Sequence, residues 1–186
     1  MGNFYVNYTV RTDDQAAIIK ALAGRNAFLT SANKGAIVVF DEAADSQDVD
    51  VVMALGVHLS RELGCPVLAV LNHDDDILWY GLFEKGRCID EYDSSPGYFD
   101  EGGSRPPEGG NAAKLCAAFQ SPNIARVEAI LRKPYGDNGY TFAYERHADL
   151  VSALDLPDFP VAFGFRYVSL GGTPRGLSLN DLTRVT

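Results

Sequence analysis

The residues of this chain best suited to chemistry stand together at 72–76, Asn-His-Asp-Asp-Asp. Imidazole and carboxylate groups are common metal ligands, and adjacent strand ends can bring them to one ion. His73, Asp74 and Asp76 are therefore the candidate metal ligands, and a metal-activated water held there would make the chain a hydrolase. The opposing reading is a turn. Successive side chains of an extended segment point to opposite faces, so consecutive aspartates converge only where the backbone bends sharply. Asn and Asp also suit tight corners, because they bond nearby backbone N–H groups and tolerate left-handed geometry.

Other signatures of catalysis or nucleotide binding are missing from the sequence. It contains no GxxxxGK[ST], no GxGxxG after a strand, no GxSxG and no HExxH. The acidic run DEAADSQDVD (41–50) lacks the glycine and glutamate positions of a calcium loop and reads as a carboxylate-rich helix start. Glu145, Arg146 and His147 read as a solvated helix face, and His58 as the edge of a packed helix. Cys65, Cys88 and Cys116 form no CxxC pair and read as free thiols. No cofactor is expected.

The elements that must position these groups follow from periodicity. FYVNYTV (4–10) alternates as a half-buried strand. TDDQAAIIKALAG reads as a helix with a Thr12–Gln15 capping box. NAFLTS and AIVVFD read as strands joined at Gly35. A helix from about Gln47 to Leu63 precedes the continuous apolar strand PVLAVL. ILWYGLF and RCIDEYD then form a hairpin over EKGR, with a three- or four-residue loop. ILWYGLF is apolar on both faces, which predicts a second layer over the sheet. Gly81 within it marks a bulge or a close approach. Short helices follow over NAAKLCAAF, SPNIARVEAILRK (Ser121 as N-cap, Ile124 on the buried face) and YERHADLVSALDLP. VAFGFRYVSL reads as a last strand and the tail as irregular.

The expected fold is α+β. A ferredoxin-like βαββαβ start is extended by a β-hairpin into a mainly antiparallel sheet of about six strands, followed by a C-terminal helical segment with one late strand. The division is a sheet-rich part over 1–100 and a helical part over 101–186 that packs on it. Between them, residues 94–110 hold five glycines and three prolines and form a long loop. Tyr98 and Phe99 lie in that loop, either as anchors for a partner or as pins against the protein's own core. With Trp79 and Tyr80 they are the candidate binding residues.

Charge narrows the partners. Residues 1–101 carry 17 Asp/Glu against 7 Lys/Arg, and 102–186 carry 8 against 9, for a net charge of −9. Nucleic acid and anionic membrane surfaces both need clustered Lys/Arg, so neither is expected. No stretch is apolar enough to span a bilayer, and the N-terminus lacks the parts of a secretory signal. A cytoplasmic location is the expectation.

The run LNHDDDILWYGLFEKGRCIDEYDSSPGYFD (71–100), with FAYERHADLVSALDLP (142–157), resembles a family of uncharacterised bacterial conserved proteins. The resemblance extends over most of the chain and implies a bacterial-type soluble protein. It carries over no catalytic residue and no substrate. Three functions therefore stand: a non-enzymatic binding or protein-interaction module, which the sequence favours; a metal-assisted hydrolase; and a structural subunit of a homo-oligomer joined through a sheet edge.

Overall fold

Two strands of nearly uninterrupted apolar sequence, β4 (Val67–His73) and β5 (Ile77–Glu84), lie inside an antiparallel sheet and are buried on both faces. The computed structural model describes residues 2–136 and 138–186. The other strands are β1 (Tyr5–Val10), β2 (Ala27–Thr30), β3 (Ile37–Asp41), β6 (Arg87–Asp93), β7 (Glu108–Gly109) and β8 (Leu182–Val185). Their order is β7-β6-β5-β4-β1-β3-β2-β8, eight strands among the described residues rather than six. Every ladder is antiparallel.

Helices α1 (Gln15–Ala21) and α2 (Val49–Leu63) cover one face. Val6, Tyr8, Val67, Ala69 and Phe83 of the sheet meet Ile18, Leu22, Val52, Leu55 and Leu59 there. His58 bonds the Ala21 carbonyl at 2.8 Å, joining the two helices as an edge histidine would. The Phe83 ring needs room between α2 and β5. A Cβ on Gly56 would lie 2.5 Å from that ring, and one on Gly81 would lie 2.8 Å from it. Gly81 therefore marks a close approach, and the β5–β6 register shifts next to it, between Leu82 and Phe83.

The opposite face carries the second layer. Helices α3 (Ala112–Phe119), α4 (Ile124–Arg132) and α5 (Ala143–Ala153) cover Leu68, Val70, Leu78, Tyr80 and Leu82. Helix α6 (Phe165–Ser169) and Phe159 cover Val38 and Phe40. This layer makes β1 fully buried rather than half-buried. Inside it the Asn7 amide nitrogen of β1 donates to the carbonyls of Pro160 (2.7 Å) and Phe163 (2.8 Å), while Asn7 Oδ1 has no hydrogen-bond partner among the described residues.

Several expectations are corrected. The segment VAFGFRYVSL forms α6 instead of a strand, and the late strand is β8, in the tail expected to be irregular; it pairs with β2. The cap of α1 is Asp14, which accepts from the Ala17 N–H at 2.9 Å, while Thr12 accepts from the Asp14 N–H. Helix α2 starts at Val49 because Gln47 is left-handed. Helix α4 is capped at Asn123, so Ile124 is exposed. The β5–β6 loop has two residues, Lys85 (φ 49°) and Gly86 (φ 74°), which is the mirror-image turn favoured by strand twist.

The largest correction concerns Arg146 and His147. Neither is on a solvated face; both are fully buried on α5. The Arg146 guanidinium donates to the carbonyls of Ile130 (2.6 Å) and Lys133 (2.6 Å) at the C-terminal end of α4. It also lies 4.5 Å from the ring centre of Tyr140, 5.1 Å from that of Tyr135 and 5.8 Å from that of Tyr92. Helix C-termini are partially negative and ring faces attract cations, so the charge is accommodated without a carboxylate. His147 pairs through Nδ1 with the Tyr5 hydroxyl at 2.9 Å.

Arg146→Lys should lower stability by roughly 2–3 kcal/mol, because one ammonium cannot reproduce the guanidinium fork and leaves a buried carbonyl unpaired. Chemical denaturation measures this. Burial pushes the pKa of His147 down to about 3. The unfolded chain therefore binds this proton near pH 6.5 and the folded chain does not, so stability falls as pH drops from about 6.5 toward about 3. Between about pH 6 and pH 4.5 this group alone should remove about 2 kcal/mol. His147→Gln should have a correspondingly shallower acid limb; equal slopes for the two proteins would refute the assignment.

Candidate functional site

The corner between β4 and β5 is a turn. Asp74 (φ 50°) and Asp75 (φ 61°) are both left-handed, a conformation Asp tolerates. Asp75, the aspartate not counted among the candidates, holds it together. Its Oδ2 accepts from the Asn3 backbone and side-chain amides, both at 3.0 Å, and its Oδ1 from the Asn72 side chain at 3.0 Å. Its carbonyl accepts the Ala143 N–H at 2.6 Å, one of the free donors at the start of α5. One residue thus ties the N-terminal segment, β4 and α5 to the corner.

The three metal candidates face different partners. Asp74 accepts from the Gly2 N–H (2.8 Å), Asp76 accepts from the Tyr98 hydroxyl (2.7 Å), and His73 Nδ1 meets Gln47 Oε1 (2.7 Å). Among the described residues no group of three or more His, Cys, Asp or Glu could hold a metal ion. The His73 bond settles a tautomer. Gln47 Nε2 donates to the Asn72 carbonyl at 2.7 Å, so Oε1 is an acceptor and His73 Nδ1 carries the hydrogen. Nε2 is then the lone-pair nitrogen of the neutral ring.

The His73 ring lies edge-on between Phe4 (4.9 Å between centres) and Phe99 (5.4 Å), and Phe99 meets Tyr98 edge-on at 5.0 Å. His73, Tyr98 and Phe99 border a cleft of about 480 Å³. Leu71, Ile77 and Trp79 of the sheet, Ser46, Gln47 and Val49 at the start of α2, and the loop around Ser95–Asp100 line it. A second, more polar cleft of about 740 Å³ shares Ser95 and Tyr98 with the first and reaches Arg105, Tyr135 and Tyr140. The Tyr98–Asp76 bond pins the loop at this shared wall. Accepting by Asp76 also pushes the Tyr98 pKa up.

The four binding candidates therefore separate. Trp79, only 7% exposed, lines the first cleft and donates its indole N–H to Glu91 at 2.8 Å. Tyr80 is buried in the opposite core with its hydroxyl on Asp90, out of reach of a ligand. Tyr98 is tethered to the corner, and Phe99 is 75% exposed, so it is not a core pin. Sequence reasoning missed Ser46, Gln47, Val49 and Asp93. Asp93 lies beside Trp79 in the β5–β6 ladder and opposite Glu108 in the β6–β7 ladder. Burial, then the Glu108 and Glu91 charges, raise its pKa against a partly offsetting bond from the Ser95 N–H. The Trp79 and Asp93 strands were legible, but nothing local announces that the start of α2 and the loop meet them.

No protein-family model, curated protein or solved structure matches this chain. Its site must be read from its own geometry. Phe99→Ser should change stability by less than about 0.5 kcal/mol, as expected for an exposed side chain. A melting temperature lowered by many degrees would show that the ring is part of the core.

Proposed function

We propose that this chain is a non-enzymatic binding protein that takes a small organic molecule into the cleft over Trp79. The observation that carries the reading is the make-up of that cleft: an apolar floor of Leu71, Ile77 and Trp79 on rigid strands, a few convergent polar groups, and an exposed aromatic ring at its border. Concave, mostly apolar sites with sparse polar groups are the usual form of small-molecule pockets. The two nearby hydroxyls favour binding over hydrolysis. Ser46 donates to the Ala43 carbonyl and Ser95 to Ser104, so neither is paired with His73 as a nucleophile with its base would be.

The scaffold reading accords with this. The strand order β4-β1-β3-β2, with α1 and α2 on one face, supports a ferredoxin-like unit lengthened at both edges. The hairpin that lengthens one edge supplies Ile77, Trp79 and Asp93 to the cleft.

The test is to expose the protein to a mixed small-molecule extract, desalt it, and identify retained compounds by mass spectrometry. A control with Val49→Phe partly fills the cleft from an exposed position of α2. The expected outcome is a compound retained by the native chain and lost from the variant. Identical profiles for the two would overturn the proposal.

A further inference from the structure

Nearly every side-chain hydrogen that could point into the cleft is already committed inside the protein. Ser46 donates to the Ala43 carbonyl (2.8 Å), Trp79 to Glu91 (2.8 Å), Ser95 to Ser104 (3.1 Å) and Tyr98 to Asp76 (2.7 Å). His73 donates through Nδ1 to Gln47, and Gln47 gives one amide hydrogen to the Asn72 carbonyl. Among the described lining side chains, only the second amide hydrogen of Gln47 is left, and no Lys or Arg lines the cleft. What remains is acceptors. His73 Nε2 has no hydrogen-bond partner among the described residues. Asp93 uses Oδ1 for the Ser95 N–H (2.8 Å) and has no such partner for Oδ2. Asp100 is exposed and only loosely paired with Arg105, at 3.7 Å.

A ligand that brought further acceptors would leave these groups unpaired when it displaced their water, which costs affinity. One that brought donors would satisfy them. Charge selects among donors. Asp93 and Glu108 are directly opposed across the β6–β7 ladder, a like-charge pairing that the nearby Arg105 offsets only in part and that a further cation would relieve. Resting on the reading of this cleft as a small-molecule site, we infer that its ligand is an organic amine, bound as the ammonium ion by the acceptors His73 and Asp93, with its apolar body against Leu71, Ile77 and Trp79.

Trp79 is the only tryptophan of the chain, so its emission reports on the cleft. Three probes of similar shape separate the possibilities at neutral pH: 2-phenylethylamine, 2-phenylethanol and 3-phenylpropanoate. The amine should bind about tenfold or more tightly than the alcohol, and the acid least. Asp93→Asn keeps the acceptor that the Ser95 N–H needs, and in it the preference for the amine should fall to about that of the alcohol. His73→Gln provides the same comparison if that variant does not fold. Equal binding of amine and alcohol, tighter binding of the acid, or an amine preference that survives the substitution overturns the amine inference and leaves the cleft reading standing. No saturable response to any of the three overturns the cleft reading as well.

Discussion

The second layer of this protein depends on a buried guanidinium. Arg146 joins α5 to the last carbonyls of α4 and sits among Tyr92, Tyr135 and Tyr140. A buried charge is tolerated only when its donors are engaged and its field is answered. Here helix-end carbonyls accept from both terminal nitrogens and ring faces answer the charge, while Nε has no hydrogen-bond partner among the described residues. Tyr92 is itself fixed, its hydroxyl donating to the Leu131 carbonyl at 2.9 Å. The arrangement links β6, α4, α5 and the segment before α5, and so keeps the apolar outer face of β4 and β5 from water.

The same layer reaches the site through Asp75. Its carbonyl receives the first helical N–H of α5, and its carboxylate holds Asn3 and Asn72. With the middle aspartate turned inward, its neighbours lie on the outside, where Asp74 takes the Gly2 N–H and Asp76 takes Tyr98. The corner thus anchors the glycine-rich loop that walls the cleft. His73 is oriented from the other side, by Gln47 at the left-handed step before α2. The cleft exists where the start of α2 and the glycine-rich loop are held against β4, β5 and β6.

Much of this frame was legible. Apolar runs without alternation identified β4 and β5 as strands covered on both faces, and Asn111 identified the start of α3, where its side chain accepts the Lys114 N–H. Other positions misled for physical reasons. VAFGFRYVSL has the aromatic and β-branched residues of a strand, yet its phenylalanines pack as a short helix and adjoining turns over Val38 and Phe40. LTRV carries no strong strand pattern, yet it completes the edge beside β2, because ladder bonds need only an open partner. Glu145-Arg146-His147 reads as solvated in any local window. Burial of Arg146 and His147 depends on carbonyls and rings that come from other elements.

By itself, then, the sequence determined β1 to β6 and the helices up to α5, where the chain must turn between them, and that a second layer must cover the hairpin, but not α6, β7 or β8. These follow from periodicity, capping and turn chemistry, which act over a few residues. Only the tertiary structure decided the roles of the polar groups. Whether an aspartate binds a neighbour, a loop or a ligand depends on what lies within about 3 Å of it, and that distance is set by long-range packing. The hydrogens of Ser46, His73 and Tyr98 are spent on partners 3, 26 and 22 residues away, respectively. Two of those three contacts join separate elements across the fold, which is why a cleft lined mostly by acceptors is visible only in three dimensions.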